Sequence, residues 1–113
     1  MPKLVQHHGT LVVELPADLD HSEQLLVEMD DLLLESSAQS SQVVVDLTAS
    51  PFLPGSVLGV LVRHQRRLRQ QGGRLVVVGT PLQRELFEVT QLQRLLTLTA
   101  SREEALAILA ASA

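Results

Sequence analysis

The side chains of this 113-residue chain that could take part in chemistry are a few histidines, two serines and Asp46. Histidines occupy positions 7, 8, 21 and 64, but no pair of them has the spacing of a zinc site, and cysteine is absent. A hydrolase would need Ser22 or Ser56 beside a histidine and Asp46, yet Ser56 lacks the Gly-x-Ser-x-Gly turn that exposes such a nucleophile. We therefore expect surface histidines, no metal or cofactor, and no enzymatic activity.

Asp46 and Ser56 belong to the most informative segment of the chain, residues 43–59. Its apolar run ending at Asp46 predicts a buried strand, a short loop follows over 51–55, and a helix is predicted from about Ser56 to 71. We expect the Asp46 carboxylate, at the end of the buried strand, to accept hydrogen bonds from loop amides.

The flanking sequence predicts an alternation of strands and helices. Two short strands, 3–6 and 10–15, are expected to form a hairpin that turns at His8-Gly9. A capping box from Asp20 to Glu23 predicts the first helix, and the serine-rich stretch 36–41 predicts a loop. Further strands are predicted over 42–47, 74–78 and 95–98, and a terminal helix over 105–109 after a second capping box at Ser101.

Helical spacing predicts which side of each helix faces the core, and glycine and proline predict where helices start and stop. Gly72-Gly73 should end the second helix, and Thr80-Pro81 should begin the third. The predicted inner residues are Leu25, Met29, Leu32 and Leu33 in the first helix, Val57, Leu58, Leu61, Val62 and Leu68 in the second, and Leu82, Leu86 and Val89 in the third.

The run Phe52-Leu53-Pro54-Gly55-Ser56-Val57-Leu58-Gly59 resembles, without a gap, the phosphorylation loop of STAS domains, the bacterial anti-sigma-factor antagonists. In that family the loop ends Phe-Met-Asp-Ser-Ser-Gly-Leu-Gly, and the first serine accepts the phosphate. Here the aspartate is replaced by Pro54, the acceptor serine by Gly55 and the following glycine by Val57. The resemblance implies a switch domain whose usual switch has been altered.

The resemblance extends over nearly the whole chain. Residues 15–21 are similar to the Leu-Thr-Gly-Glu-Leu-Asp-His stretch of sporulation-type antagonists, and 71–77 to their Gly-Gly turn into the next strand. Taken with the alternation of elements, it implies an α/β STAS fold: one domain, 1–113, with a small mixed sheet of four to five strands packed with about four helices.

The family's members usually bind a serine kinase of the histidine-kinase-like ATPase type that doubles as the anti-sigma factor, so the resemblance implies such a partner here. It also implies that Gly55 cannot accept phosphate. Ser56 is the remaining hydroxyl: we expect it to cap the helix, with a displaced phosphoacceptor as the alternative. The expected partner-binding residues are Asp20, His21, Phe52, Leu53, Pro54, Gly55, Ser56, Val57 and Arg63.

Composition narrows the remaining possibilities. The formal net charge is −4 and Trp and Tyr are absent, so nucleic-acid binding is not expected despite the arginines of the second helix. No apolar run reaches membrane-spanning length, which favours a cytoplasmic domain without membrane insertion, as a monomer or weak homodimer. The alternatives left open are a small STAS subunit of an ABC-type phospholipid transport complex and an oligomerising scaffold.

Overall fold

The computed structural model describes residues 2–7, 10–17, 23–50 and 53–112. Within them, five strands form one mixed sheet in chain order, with β1 antiparallel to β2 and the other three pairings parallel. The strands are β1 (Lys3–His7), β2 (Thr10–Glu14), β3 (Gln42–Asp46), β4 (Arg74–Val78) and β5 (Thr97–Thr99). The helices are α1 (Glu23–Gln39), α2 (Gly55–Gln70), α3 (Pro81–Thr90) and α4 (Arg102–Ser112), with a short 3-10 helix at Leu92–Arg94. The predicted mixed α/β fold is confirmed.

Helices cover both faces of the sheet, and successive valines of β3 point to opposite faces. Val43 and Val45 point into the larger apolar cluster, which also contains Met29 of α1, Leu61 of α2 and Phe87 of α3. Val44 points the other way, into a smaller cluster with Ala105 and Leu109 of α4. All three valines are fully buried, as expected of a central strand in a parallel sheet. The layers are therefore α1, α2 and α3, then the sheet, then α4.

Helix α1 is longer than predicted, because part of the serine-rich stretch expected to form a loop is helical through Gln39. Ser36 is fully buried, and its hydroxyl donates to the Leu32 carbonyl at 2.8 Å. Ser37 donates in the same way to the Leu34 carbonyl at 3.1 Å. Hydroxyls that bond to the preceding turn need no partner outside the helix, so these serines do not end it.

Helix α3 begins as predicted, but its predicted inner face is wrong. Thr80 and Gln83 form a capping box with Pro81 inside it. Leu82, Leu86 and Val89 face outward, with exposed fractions of 68%, 36% and 83%.

The buried residues of α3 are instead Gln83 and Phe87. The Gln83 amide Nε2 donates to the carbonyl oxygens of Leu47 and Ser50 at 2.9 and 2.7 Å. These carbonyls belong to the connection that follows β3, and buried backbone oxygens need partners. Gln83 therefore turns inward to satisfy them, and the leucines at neighbouring positions turn outward.

Most of the other ends lie within one residue of their predicted positions, but α4 extends three residues beyond the predicted 105–109 at each end. Strand β5 begins two residues later than predicted, since Leu95 closes the short 3-10 helix with a bond from its N–H to the Leu92 carbonyl at 2.8 Å. Ser101 caps α4 by accepting from the Glu104 amide at 3.1 Å, while the Glu104 carboxylate accepts from the amide of Ala100. The predicted hairpin turn at His8-Gly9 and the cap at Asp20 lie outside the described residues.

The Gly72-Gly73 pair ends α2 for two different reasons. Gly72 has a φ of 80°, in the left-handed region that favours glycine, as expected after a helix. Gly73 passes so close to the connection between α1 and β3 that a Cβ placed on it would lie 2.0 Å from the Ser41 carbonyl oxygen. Glycine is thus required at position 73 because a side chain there would clash with the Ser41 backbone.

We predict that Gly73→Ala destabilises the protein, because the Ser41 backbone would have to move; the free energy of unfolding should fall by about 1–3 kcal/mol. Gly59→Ala is the matched control. Gly59 lies inside α2 with no atom within 4 Å of an added Cβ, so alanine there should stabilise by about 0.5–1 kcal/mol. Urea titrations of both variants test this. Equal effects of the two substitutions would contradict the steric assignment.

Candidate functional site

Asp46 organises the beginning of the β3–α2 connection. Its Oδ1 accepts from the Thr48 amide at 2.9 Å and from the Thr48 hydroxyl at 2.6 Å, which confirms the predicted bonding to a loop amide. Its Oδ2 accepts from Nε of Arg102 at 2.8 Å, and Arg102 also pairs with Glu14 at the end of β2. Burial raises the pKa of Asp46, but the hydrogen bonds from Thr48 and Arg102 outweigh it, and the pKa lies below its usual value. Asp46 is thus ionised, and Arg102 ties the ends of β3 and β2 to α4 by pairing with both Asp46 and Glu14.

Ser50 ties the same connection to the segment after β2. Its side chain is fully buried, and its hydroxyl donates to the Pro16 carbonyl at 2.6 Å. Its amide bonds to the Leu47 carbonyl at 3.0 Å, and its own carbonyl accepts from Gln83. Three neighbouring parts of the chain therefore fix the position of Ser50.

Helix α2 begins one residue earlier than predicted. Pro54 is the N-cap residue, with an extended backbone (φ −63°, ψ 146°) and no side-chain cap bond. Its carbonyl accepts from the amides of Val57 and Leu58 at 3.0 and 3.3 Å. Ser56 is therefore the second helical residue, and the expectation that its hydroxyl caps the helix is wrong. Within the described residues this exposed hydroxyl makes no hydrogen bond.

The nine predicted partner-binding residues fall into three groups. Asp20, His21 and Phe52 lie outside the described residues. Leu53, Pro54 and Val57 are buried and hold the start of α2 against the core. Gly55, Ser56 and Arg63 are exposed. The predicted binding role of each residue remains a prediction; among the six residues that the structure describes, Gly55, Ser56 and Arg63 are the ones exposed to a partner.

Arg63 takes part in a polar cluster that joins α2 to α1. Its guanidinium donates to Asp30 Oδ1 at 2.6 Å, and Nε2 of His64 lies 2.6 Å from the same oxygen. Arg67 lies 2.7 Å from Nδ1 of His64 and donates to the Ser37 hydroxyl at 2.9 Å. Since arginine can only donate, Nδ1 accepts, and His64 is a neutral imidazole that donates from Nε2 to Asp30.

The prediction that the histidines lie at the surface is wrong for His64, whose exposed fraction is 2%. Burial, with the nearby Arg67 and Arg63 charges, lowers the pKa of His64 despite the opposing hydrogen bond and charge of Asp30. The hydrogen bond from Arg63, aided by His64, lowers the pKa of Asp30 against the opposing effect of burial. Nothing in the sequence signals this cluster, because Asp30 and His64 are 34 positions apart.

The outer face of α2 carries a shallow groove of about 470 Å³, lined by Gly59, Val62, Arg63, Arg66, Arg67 and Gln70. Among the described residues there is no group of three His, Asp or Glu side chains placed to hold a metal ion. In the same part of the chain, no helix is long and apolar enough to cross a membrane. The start of α2 and this groove expose backbone, arginine and hydroxyl groups at the surface.

We predict that acid weakens the fold through His64. The folded state lowers the pKa of His64 below its ordinary 6.5, so the unfolded chain takes up this proton first as the pH falls. The stability that neutral His64 contributes is present above pH 6.5 and is lost as the pH drops towards the folded pKa. Asp30 does not counter this, because its lowered pKa affects stability only near and below 3.8.

Urea titrations between about pH 7.5 and 5.5 test this, with His64→Gln as the control that keeps an amide donor but does not titrate. We expect the fall in unfolding free energy with pH to be shallower in the variant. An unchanged slope would assign the pH dependence to other groups.

Comparison with known proteins identifies the family. Residues 1–105 match the family model of the STAS domain. Over 88 residues, 74% of this chain and 74% of the relative, the sequence is 31% identical to the anti-sigma F factor antagonist of Paenibacillus polymyxa.

Solved structures show the same fold. An anti-sigma factor antagonist from Mycobacterium paratuberculosis superimposes with a TM-score of 0.79 at 23% identity, covering 96% of this chain and 92% of the other. An anti-sigma-factor antagonist (STAS) domain protein from Planctomyces limnophilus gives 0.74 at 22% identity, covering 99% and 97%. The Bacillus cell fate determinant SpoIIAA in its phosphorylated form gives 0.70 at 18% identity, covering 96% and 99%. With the family model matching all but the last residues, the chain belongs to the STAS domain family.

Proposed function

We propose that this protein is a non-enzymatic regulatory module that acts as an anti-sigma-factor antagonist in the cytoplasm. Its partner is a serine kinase of the histidine-kinase-like ATPase type that doubles as the anti-sigma factor. The 31% identity to an anti-sigma F factor antagonist is the observation that carries this proposal. The altered loop sequence, with Gly55 in place of the acceptor serine, sets this member apart from the family's usual pattern.

The contact surface is the exposed side of α2 from Gly55 to Arg66. Gly55, Gly59, Arg63 and Arg66 recur at helical spacing and are all exposed, with Ser56 beside them. An added Cβ would meet no atom within 4 Å at Gly55 or at Gly59, so the helix backbone is open to a partner at both positions. A partner can approach this backbone closely, and the arginines favour acidic groups on it.

The same geometry supports binding that phosphorylation does not interrupt. Gly55 has no oxygen to accept a phosphate, and it stands at the first helical position. Ser56 is one residue further along, which rotates its side chain by about 100° around the helix. A kinase site aligned with the usual serine would therefore not meet the Ser56 hydroxyl.

Affinity capture from native lysate with tagged protein, with and without Mg-ATP, tests the proposal by mass spectrometry. A histidine-kinase-like ATPase retained in both conditions supports it. Release on addition of Mg-ATP that Ser56→Ala abolishes would show that Ser56 is a working acceptor and overturn the phosphorylation-independent part. Recovery of a transport ATPase instead would overturn the proposed function.

We predict that Gly55→Asp weakens binding of the captured partner at least about tenfold, because it places a negative charge in the contact surface. The fold should tolerate it, since an acidic residue in the first turn of a helix is favourable and there is open space at this position. The matched control is Ala107→Asp, exposed on α4 across the sheet, which should leave the affinity unchanged.

Gly55→Ser provides the complementary test, since it restores a hydroxyl where the family has its acceptor. We expect the partner to phosphorylate this variant and then to release it, which intact-mass measurement and calorimetry would detect. If Gly55→Asp and wild type bind equally, the start of α2 is not part of the interface.

A further inference from the structure

The most conspicuous surface feature outside the start of α2 is the apolar side of α3. Leu82, Leu86 and Val89, here called the α3 apolar face, form a stripe of helical spacing, and two of them are more than two-thirds exposed. Single exposed apolar residues are ordinary, but a contiguous stripe on one helix marks an interaction site.

Helix α3, which carries the α3 apolar face, is hydrogen-bonded to the β3–α2 connection. Gln83, between Leu82 and Leu86, holds the carbonyls of Leu47 and Ser50 with its side-chain amide. Gly79, at the approach to α3, packs so tightly that an added Cβ would lie 2.9 Å from Gln83 Oε1. The helix therefore cannot shift without disturbing residues 47–50, which follow β3 and precede α2, so the position of α3 is fixed relative to this edge of the sheet.

The negative charge of Glu85, beside the stripe, restricts which kind of partner can cover it. Glu85 lies three residues after Leu82 and four before Val89, and so borders the stripe. Within the described residues Glu85 has no ion-pair partner. A second copy packed antiparallel across Leu86 would bring the two Glu85 carboxylates close together, which is unfavourable. Three side chains also expose far less than the ~800 Å² per partner of a standard interface.

We propose that the α3 apolar face, with Glu85, is the second half of the surface that docks the partner bound at the start of α2. The partner presents an apolar stripe bordered by a lysine or arginine that meets Glu85. This inference rests on the proposed function, because the stripe is too small to hold a partner alone and the helix that carries it is hydrogen-bonded to the connection between β3 and α2. It adds a contact made by hydrophobic burial to one made through backbone and arginine.

Site-specific photo-crosslinking in native lysate tests the inference, with a photoreactive phenylalanine placed in turn at positions 56, 82, 89 and 107. Ala107 is the control, because it is exposed on α4, on the opposite side of the sheet. We expect one histidine-kinase-like ATPase to be crosslinked from 56, 82 and 89 and not from 107. Crosslinking from 56 alone would overturn the α3 proposal and leave the proposed function standing.

Three other outcomes would also be decisive. Crosslinking of 82 and 89 to a second copy of this chain would overturn the proposal in favour of self-association. A different protein at 82 and 89 from that at 56 would overturn the claim of one continuous surface. No ATPase at 56 would count against the proposed function itself.

Affinity measurements with the purified crosslinked partner complete the test. Leu82→Glu and Val89→Glu should each weaken binding at least about tenfold without altering the unfolding midpoint, while Ala107→Glu should not weaken it. Glu85→Arg should weaken binding several-fold, with Glu35→Arg on α1 as its control. Unchanged affinity in the Leu82 and Val89 variants would overturn the proposal.

Discussion

The structure depends on one strand that is buried on both faces. Val43, Val44 and Val45 of β3 are fully buried, and they alternate between the two apolar clusters. Such a strand can sit only where helices cover both sides of the sheet, so it fixes α2 on one side and α4 on the other. The burial of β3 also fixes the position of the carboxyl end of this strand. Asp46 must emerge at the carboxyl edge of the sheet, and the connection that begins there leads directly into the proposed binding surface.

Residues 46–50, at the start of this connection, are held by hydrogen bonds to α3, to α4 and to the segment after β2. Arg102 of α4 holds Asp46, the carbonyl of Pro16 holds Ser50, and Gln83 of α3 holds the backbone on either side of Ala49. A surface that is ordered before binding loses little conformational entropy when the partner arrives. For a module whose usual phosphate acceptor is missing, the association would then be governed by shape and by the concentrations of the two proteins.

The sequence predicted the elements well, because strands and helix ends depend on local chemistry. Runs of β-branched residues specify β3 and β4, Thr80-Pro81 specifies the start of α3, and Gly72 specifies the end of α2. The orientation of α3 could not be predicted in the same way. Its spacing of leucines fits an inward face equally well, and the deciding factor is the need of two distant carbonyls for a donor, which Gln83 supplies.

The burial of polar residues in α2 could not be predicted from helical spacing either. Periodicity treats polar residues as outward-facing, yet His64 and Gln65 are buried, because Asp30 and Arg67 satisfy the imidazole and the Leu75 amide donates to Oε1 of Gln65 at 2.7 Å. Those partners come from elements distant in sequence, and one sequence holds no trace of their proximity. In each case a polar side chain inside the fold fixes the placement of a helix. The positions of α2 and α3, and hence the surfaces that they present, are therefore set by specific buried hydrogen bonds on top of an apolar core that alone would permit other rotations.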